Sequence, residues 1–238
     1  RDQPRSRGLG DVYKRQGFTD EIVDLCKRYC GAVAISWYRQ KHTYRAIQML
    51  LDAGVKTNIH YVLGNNSIEE AIMRLKNNGF PAGINAVICL LHKPVGLGSE
   101  ANVLQMNNPL VKQFFDTVDT QKFSFKIGFD SCSIPAVLNL THNIDHDSID
   151  TCEGSRWSMY ITSDMKALPC SFDNQELRWA FDISNASIED AWNSPQFESF
   201  RSHFRNSCPN CQCQHSCMGG CPIRPQVVLC DKVEKELY

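Results

Sequence analysis

The sequence contains no apolar run of the ~18 residues that a membrane-spanning helix needs, so no membrane partner is expected. It has almost no net charge, with 25 Lys and Arg against 26 Asp and Glu. No basic stripe accompanies the aromatic residues, which argues against a nucleic-acid partner. Internal repeats and low-complexity segments are absent too, excluding solenoids and long disordered linkers. The first sixteen residues, RDQPRSRGLGDVYKRQ, have almost no apolar content and no period. Residues 1–16 therefore read as an adapter-like leader, non-native or disordered, and are set aside from the fold. With that start, the sequence reads as an N-terminally truncated fragment, in which a missing signal peptide says nothing of compartment.

What is present is ordinary in bulk and uneven in detail. The 238 residues are 42% hydrophobic and 21% charged, enough for one large domain or a medium and a small one. From Phe18 to Asp119, short apolar runs alternate with helical patterns. TDEIVDLCKRYCG has a Thr19 cap and a Gly31 stop, and AVAISWY (32–38) predicts a strand covered on both faces. TYRAIQMLLDAG places Tyr44, Ile47, Leu50 and Leu51 on one helical face. VKTNIHYVL (55–63) is the next strand, and SIEEAIMRLKNNG opens with a Ser67–Glu70 capping box. INAVICLL (84–91) is a third strand and NPLVKQFFDTV (108–118) a further helix. This order predicts right-handed βαβ units on a parallel sheet, but three strands are too few to close a barrel.

Beyond Phe129 the texture is loop-rich. RWSMYIT (156–162), the turn SDMK and ALPC read as a hairpin, and residues 187–204 as a helix that Ser187 caps with Asp190. Of 12 cysteines, Cys26, Cys30 and Cys89 lie early, and the other nine fall between positions 132 and 230. The boundary is expected near residue 128, giving 17–128 and 129–238. Small loop-rich regions need staples. The stretch CPNCQCQHSCMGGC (208–221) offers C-x2-C-x5-C-x3-C through Cys208, Cys211, Cys217 and Cys221, with Cys230 beyond. Such spacings suit thiolate-held iron–sulfur clusters first and structural zinc next; disulfides between such close thiols are strained.

Cys152, twelve residues, Met165, four residues and Cys170, then the C-x2-C-x5-C-x3-C run and Cys230, resemble the signature of the SPASM domain. In that signature a glycine stands where this chain has Met165. The domain is the C-terminal extension of many radical S-adenosylmethionine enzymes, including sulfatase-maturing enzymes and peptide maturases. The resemblance implies an α/β chain: the C-terminal half of a partial (β/α)6 TIM-like barrel, followed by a small cysteine-rich α+β SPASM domain. One departure matters. The family's C-x3-C-x2-C loop is missing, since Cys26 and Cys30 are followed by Val33 where the third cysteine would stand. The chain is therefore expected to be inactive alone.

By the same resemblance, two auxiliary [4Fe–4S] clusters are expected. Cys208, Cys211, Cys217 and Cys230 would hold the second. Cys152, Cys170 and Cys221 would hold the first, with Cys132 of GFDSC as its fourth ligand; Cys213 is a spectator. Ser36, Asn58 and His60 would line an S-adenosylmethionine cavity, although a satisfied core histidine is the plainer reading of His60. LLHKPVGLG (90–98) ends the last strand in a glycine-rich loop, where Lys93 meets an anionic group or simply water. The full-length parent is expected to bind S-adenosylmethionine and a third [4Fe–4S] cluster. Its partners would be a peptide or protein substrate and a reductant such as flavodoxin or ferredoxin, in a cytoplasmic setting. Two other classes remain open: a stand-alone iron–sulfur electron-transfer protein, and a zinc-stabilised binding module.

Overall fold

In the computed structural model, residues 18–144, 149–206, 208 and 210–231 are described. The leader 1–16 and Pro209 lie outside them. The chain divides into two compact units, one running up to Leu91 and including Thr120–Asp130, the other comprising His92–Asp119 and the residues from Ser131 onward.

Apolar periodicity builds the first unit. Helix α1 (Asp20–Tyr29) starts where the Thr19 hydroxyl accepts the Ile22 N–H at 3.3 Å. Strand β1 (Val33–Ser36) follows, then α2 (Lys41–Asp52), β2 (Thr57–Leu63), α3 (Ile68–Lys76) and β3 (Ala86–Leu91). A fourth strand, β4 (Lys126–Phe129), pairs in parallel with β3, so the sheet order is β1-β2-β3-β4. The expectation of three strands is corrected here. KIGF has a glycine and an exposed Lys126, and gives no apolar run to read.

Side chains alternate across this sheet. Val33, Ile35, Ile59, Tyr61, Leu63, Val87, Cys89 and Leu91 are buried on one face. Core residues of the helices include Ala46, Ile47 and Leu50 of α2 and Ile68, Ala71, Ile72 and Leu75 of α3. The other face is only half-covered. AVAISWY is thus not covered on both faces: Val33, Ile35 and Trp37 are buried, while Ala34 and Ser36 are half-buried. The face of α2 is also turned from that expected. Thr43 replaces Tyr44 in the core, and Tyr44, 41% exposed, packs edge-on against Trp37 at 5.1 Å.

The Ser67–Glu70 capping box does not form. Ser67 donates instead to the Val62 carbonyl at 2.8 Å and accepts the Gly64 N–H at 2.9 Å, closing the turn out of β2. Glu70 is taken by charge: its carboxylate accepts from Arg39, from Arg74 at 2.7 Å and from the Tyr61 hydroxyl at 3.2 Å. A charge-assisted pair outweighs one neutral cap bond.

In the second unit, α4 (Pro109–Thr120) buries Val111, Phe114, Phe115 and Thr117, and α5 (Ile134–Leu140) begins with Pro135 in its first turn. The hairpin of β5 (Tyr160–Ile161) and β6 (Lys166–Leu168) gains a third antiparallel strand, β7 (Phe181–Asp182). The single helix expected over 187–204 is two, α6 (Ile188–Trp192) and α7 (Pro195–Asn206). Pro195 lacks the N–H that a continuous helix would need, so it opens a new one. Ser194 caps the new helix, accepting the Phe197 N–H at 3.3 Å. Ser187 and Asp190 do form their reciprocal box at the start of α6. A short α8 (Gln214–Cys217) lies inside the cysteine run.

Candidate iron–sulfur centres

Four thiols converge from four separate stretches of the second unit. Cys132 sits in a one-turn helix, Ser131–Ser133, and Cys152 in the loop before the hairpin. Cys170 caps the one-turn helix Ser171–Asp173 beyond β6, and Cys221 follows the glycine pair. They are electrostatic neighbours. Burial pushes the Cys152 thiol up to about 12, with Cys132 and Cys170 adding to the rise. Cys170 is raised by burial and by Cys132. A hydrogen bond with Cys132 raises Cys221 well above the usual thiol range, and burial and Cys152 push the same way.

A second set gathers around Cys217 at the end of α8. Burial raises that thiol to about 11, and Cys230, Cys208 and Cys211 add to it. The backbone is bent to allow this. Cys208 has φ +50°, and Met218, Gly219 and Gly220 follow with φ of +55°, +81° and +88°, turning the chain between Cys217 and Cys221. Only glycine enters that region freely. At Gly220 space is short as well, since a Cβ would lie 2.7 Å from a Val228 methyl. Cys213 is the N-cap of α8 and packs beside Ile134, Leu138 and Cys217.

The chemistry of these donors fits an iron–sulfur cluster. All are soft thiols, and N–H groups point at the sulfurs. Backbone amides of Gly154, Phe172 and Gly219 bond to Cys152, Cys170 and Cys217. The Arg224 N–H reaches the Cys221 sulfur at 3.3 Å, and the Asn139 amide reaches that of Cys230 at 3.2 Å. Such bonds and an apolar surround are what tune a thiolate-held cluster. Trp179, Phe200, Phe204 and Ile223 form that surround for the first set, with Phe172 and Met218 packed against them. As free thiols, Cys152, Cys170, Cys217 and Cys221 favour their protonated form, and an incoming metal must displace those protons. Among the described residues, no three His, Cys, Asp or Glu side chains close tightly around one ion. A cubane is wider than an ion and spreads its ligands further.

Asn139 and Arg224 were not among the residues singled out from the sequence. Neither stands at a motif spacing, and Asn139 meets a sulfur 91 positions away, a pairing no local pattern encodes. Arg224 is 7% exposed and fixed by Glu176 at 2.9 Å and Gln175 at 2.8 Å. Arg156 donates to the Cys152 carbonyl at 3.1 Å.

In the first unit, the parallel register sets Ser36 beside His60, and Asn58 beside Ala34, on the half-covered face of the sheet. His60 continues across to Ile88. The Asn85 amide donates to Asn58 at 2.6 Å. Burial lowers the affinity of His60 for a proton, which keeps the ring neutral at neutral pH. Cys26 and Cys30 lie on α1 and at its C-cap, hydrogen-bonded to each other. Among the described residues, no helix is long and apolar enough to cross a membrane.

Residues 152–218 match the SPASM family, an iron–sulfur cluster-binding domain. No curated protein matches the chain. Among solved structures, Streptococcus suis SuiB bound to S-adenosylmethionine aligns with a TM-score of 0.52 at 14% identity. That alignment covers 90% of this chain and 62% of SuiB. Native anSMEcpe with bound AdoMet and Kp18Cys peptide aligns with a TM-score of 0.51 at 15% identity, over 87% of this chain and 63% of that one. This chain thus spans less than two thirds of either. Residues 152–218 thus match the SPASM iron–sulfur cluster-binding domain, and the mixed α/β chain that carries them is similar in fold to these two structures, its parallel four-strand sheet consistent with part of a TIM-like barrel.

Proposed function

We propose that this chain is part of a radical S-adenosylmethionine enzyme that modifies a peptide or protein, and that it holds two auxiliary [4Fe–4S] clusters. The observation that carries this reading is the gathering of eight cysteines as two neighbourhoods of four within and around a SPASM domain. Cys132, Cys152, Cys170 and Cys221 hold the first cluster, and Cys208, Cys211, Cys217 and Cys230 the second. Bound there, the clusters supply one-electron acceptance and donation. The chain's own residues do the rest. Amide donors from Gly154, Phe172, Gly219, Asn139 and Arg224 offset the negative charge on the sulfurs, and the ring of Trp179, Phe172 and Phe200 keeps water from them.

On the half-covered sheet face, Ser36, Asn58 and His60 form the wall of an S-adenosylmethionine cavity. Neutral His60 offers one donor and one acceptor there, and Asn85 holds the Asn58 amide in one orientation. The peptide co-bound in anSMEcpe supports a peptide partner. A flavodoxin- or ferredoxin-type reductant suits the clusters. Because no C-x3-C-x2-C occurs in its 238 residues, the chain alone releases no 5′-deoxyadenosine from S-adenosylmethionine.

Anaerobic reconstitution of residues 17–238 with iron and sulfide tests the reading. About eight iron and eight sulfide per chain are expected from four-thiolate ligation of two cubanes. Zinc without sulfide would overturn it and leave the cysteines as scaffolding.

A further inference from the structure

Beyond β3 the chain enters a loop that is folded on itself. The Val95 N–H donates to the Lys93 carbonyl and the Gly98 N–H to the Val95 carbonyl, both at 2.9 Å. His92 Nε2 lies 2.9 Å from the Ser99 carbonyl oxygen. Glycine is required at position 98, because a Cβ there would run into the Lys93 carbonyl oxygen and lie 3.0 Å from the Val95 nitrogen. The loop thus fixes the backbone of Lys93, and its side chain reaches out over Phe172, with Nζ 5.1 Å from the ring centroid. Phe172 follows Cys170 by two residues, and its ring packs in the apolar group that includes Cys152, Cys170 and Cys221. An ammonium group therefore stands behind one aromatic ring from the first set of thiols.

We propose that Lys93 is a positioning charge that raises the reduction potential of the cluster held by Cys132, Cys152, Cys170 and Cys221. The inference rests on the two-cluster reading above. Taking up one electron makes a thiolate-held cluster one unit more negative, with no proton needed. A fixed cation nearby favours that reduced form, and a half-buried site screens it less than open water would. The second set, around Cys217, is not the one Lys93 faces through Phe172. The charge thus favours electron uptake at the first cluster.

The test is a redox titration of the reconstituted full chain, with dithionite as electron donor and electron paramagnetic resonance as readout. Wild type, Lys93→Gln and Lys93→Arg are compared, with iron and sulfide counted in each. With equal iron, Lys93→Gln should move one of two midpoints negative, by about tenfold in the reduction equilibrium, or about 59 mV for one electron. The other midpoint should stay, and Lys93→Arg should match wild type. Unchanged midpoints in a fully loaded Lys93→Gln would overturn the inference and leave the two-cluster reading standing. Loss of four iron in that variant would also overturn it, by making Lys93 a structural residue. A wild type without sulfide would fail the two-cluster reading itself.

Discussion

At Gly220 the cysteine run leaves no room for a single methyl group. With φ at +88° and Val228 methyls 2.7 and 2.8 Å from an added Cβ, Gly220→Ala should cost ~1–3 kcal/mol from crowding alone. A thermal unfolding scan should show the loss, and Gly220→Ala with Val228→Ala should recover only part of it, because the left-handed backbone remains. Cysteine substitutions separate ligands from bystanders. Cys132→Ser should hold about four fewer iron atoms than wild type after reconstitution, whereas Cys213→Ser should hold the full complement. Equal iron in both variants would remove Cys132 from the first set. The two residues differ in what a sequence can say of them. Cys213 sits inside a spacing that already works without it. Cys132 belongs to no spacing, and only the fold brings it to Cys221.

At the scale of elements, the turn between β5 and β6 carries a residue out of place. Met165, 47% exposed, has φ +61°, where a side chain costs about 1–2 kcal/mol. Met165→Gly should therefore stabilise the second unit by about 1 kcal/mol, as read by denaturant unfolding; a destabilised variant would show that the Met165 side chain packs usefully. Glu70 joins α3 to the loop after β1. Burial opposes its ionisation, but hydrogen bonds from Arg74 and Arg39 and their charges win, holding its carboxyl below the ordinary 4.5. A depressed carboxyl adds stability above its unfolded pKa and loses it as pH falls through the folded value. Glu70→Gln should cost ~1–3 kcal/mol at neutral pH, and the gap to wild type should close as pH falls through that range. A gap that is constant with pH would refute the assignment. This network also explains where the sequence was legible. Apolar alternation in β2 and β3 and the Ser187–Asp190 box could be read locally. Glu70 at capping distance from Ser67 could not, because its partners Arg39 and Tyr61 are neighbours only in space. KIGF and the Pro195 break were missed for other reasons: KIGF offers no apolar run, and the apolar period of residues 187–204 runs on through Pro195.

At the scale of the whole molecule, regular structure and cysteine chemistry divide the labour. The first unit stands on buried strands and helices. Much of the second is loop between short elements, and its thiols stand where a larger core would otherwise be needed. Along the chain the two sets of cysteines are not consecutive. Cys221, in the first, falls between Cys217 and Cys230 of the second, and Cys208, Cys211 and Cys217 fall between Cys170 and Cys221. Clusters at both proposed sets would close two interleaved loops, one of them ~90 residues long, a constraint worth about 4–5 kcal/mol of unfolded-chain entropy on the cross-link scale. Neither loop opens without slackening the other. Loss of one cluster should therefore loosen the other: a chelator should strip the roughly four iron atoms left in Cys132→Ser faster than it strips that cluster in wild type, and equal rates would show the loops to be independent. The second unit would then slacken as a clasp does, each side held by the other.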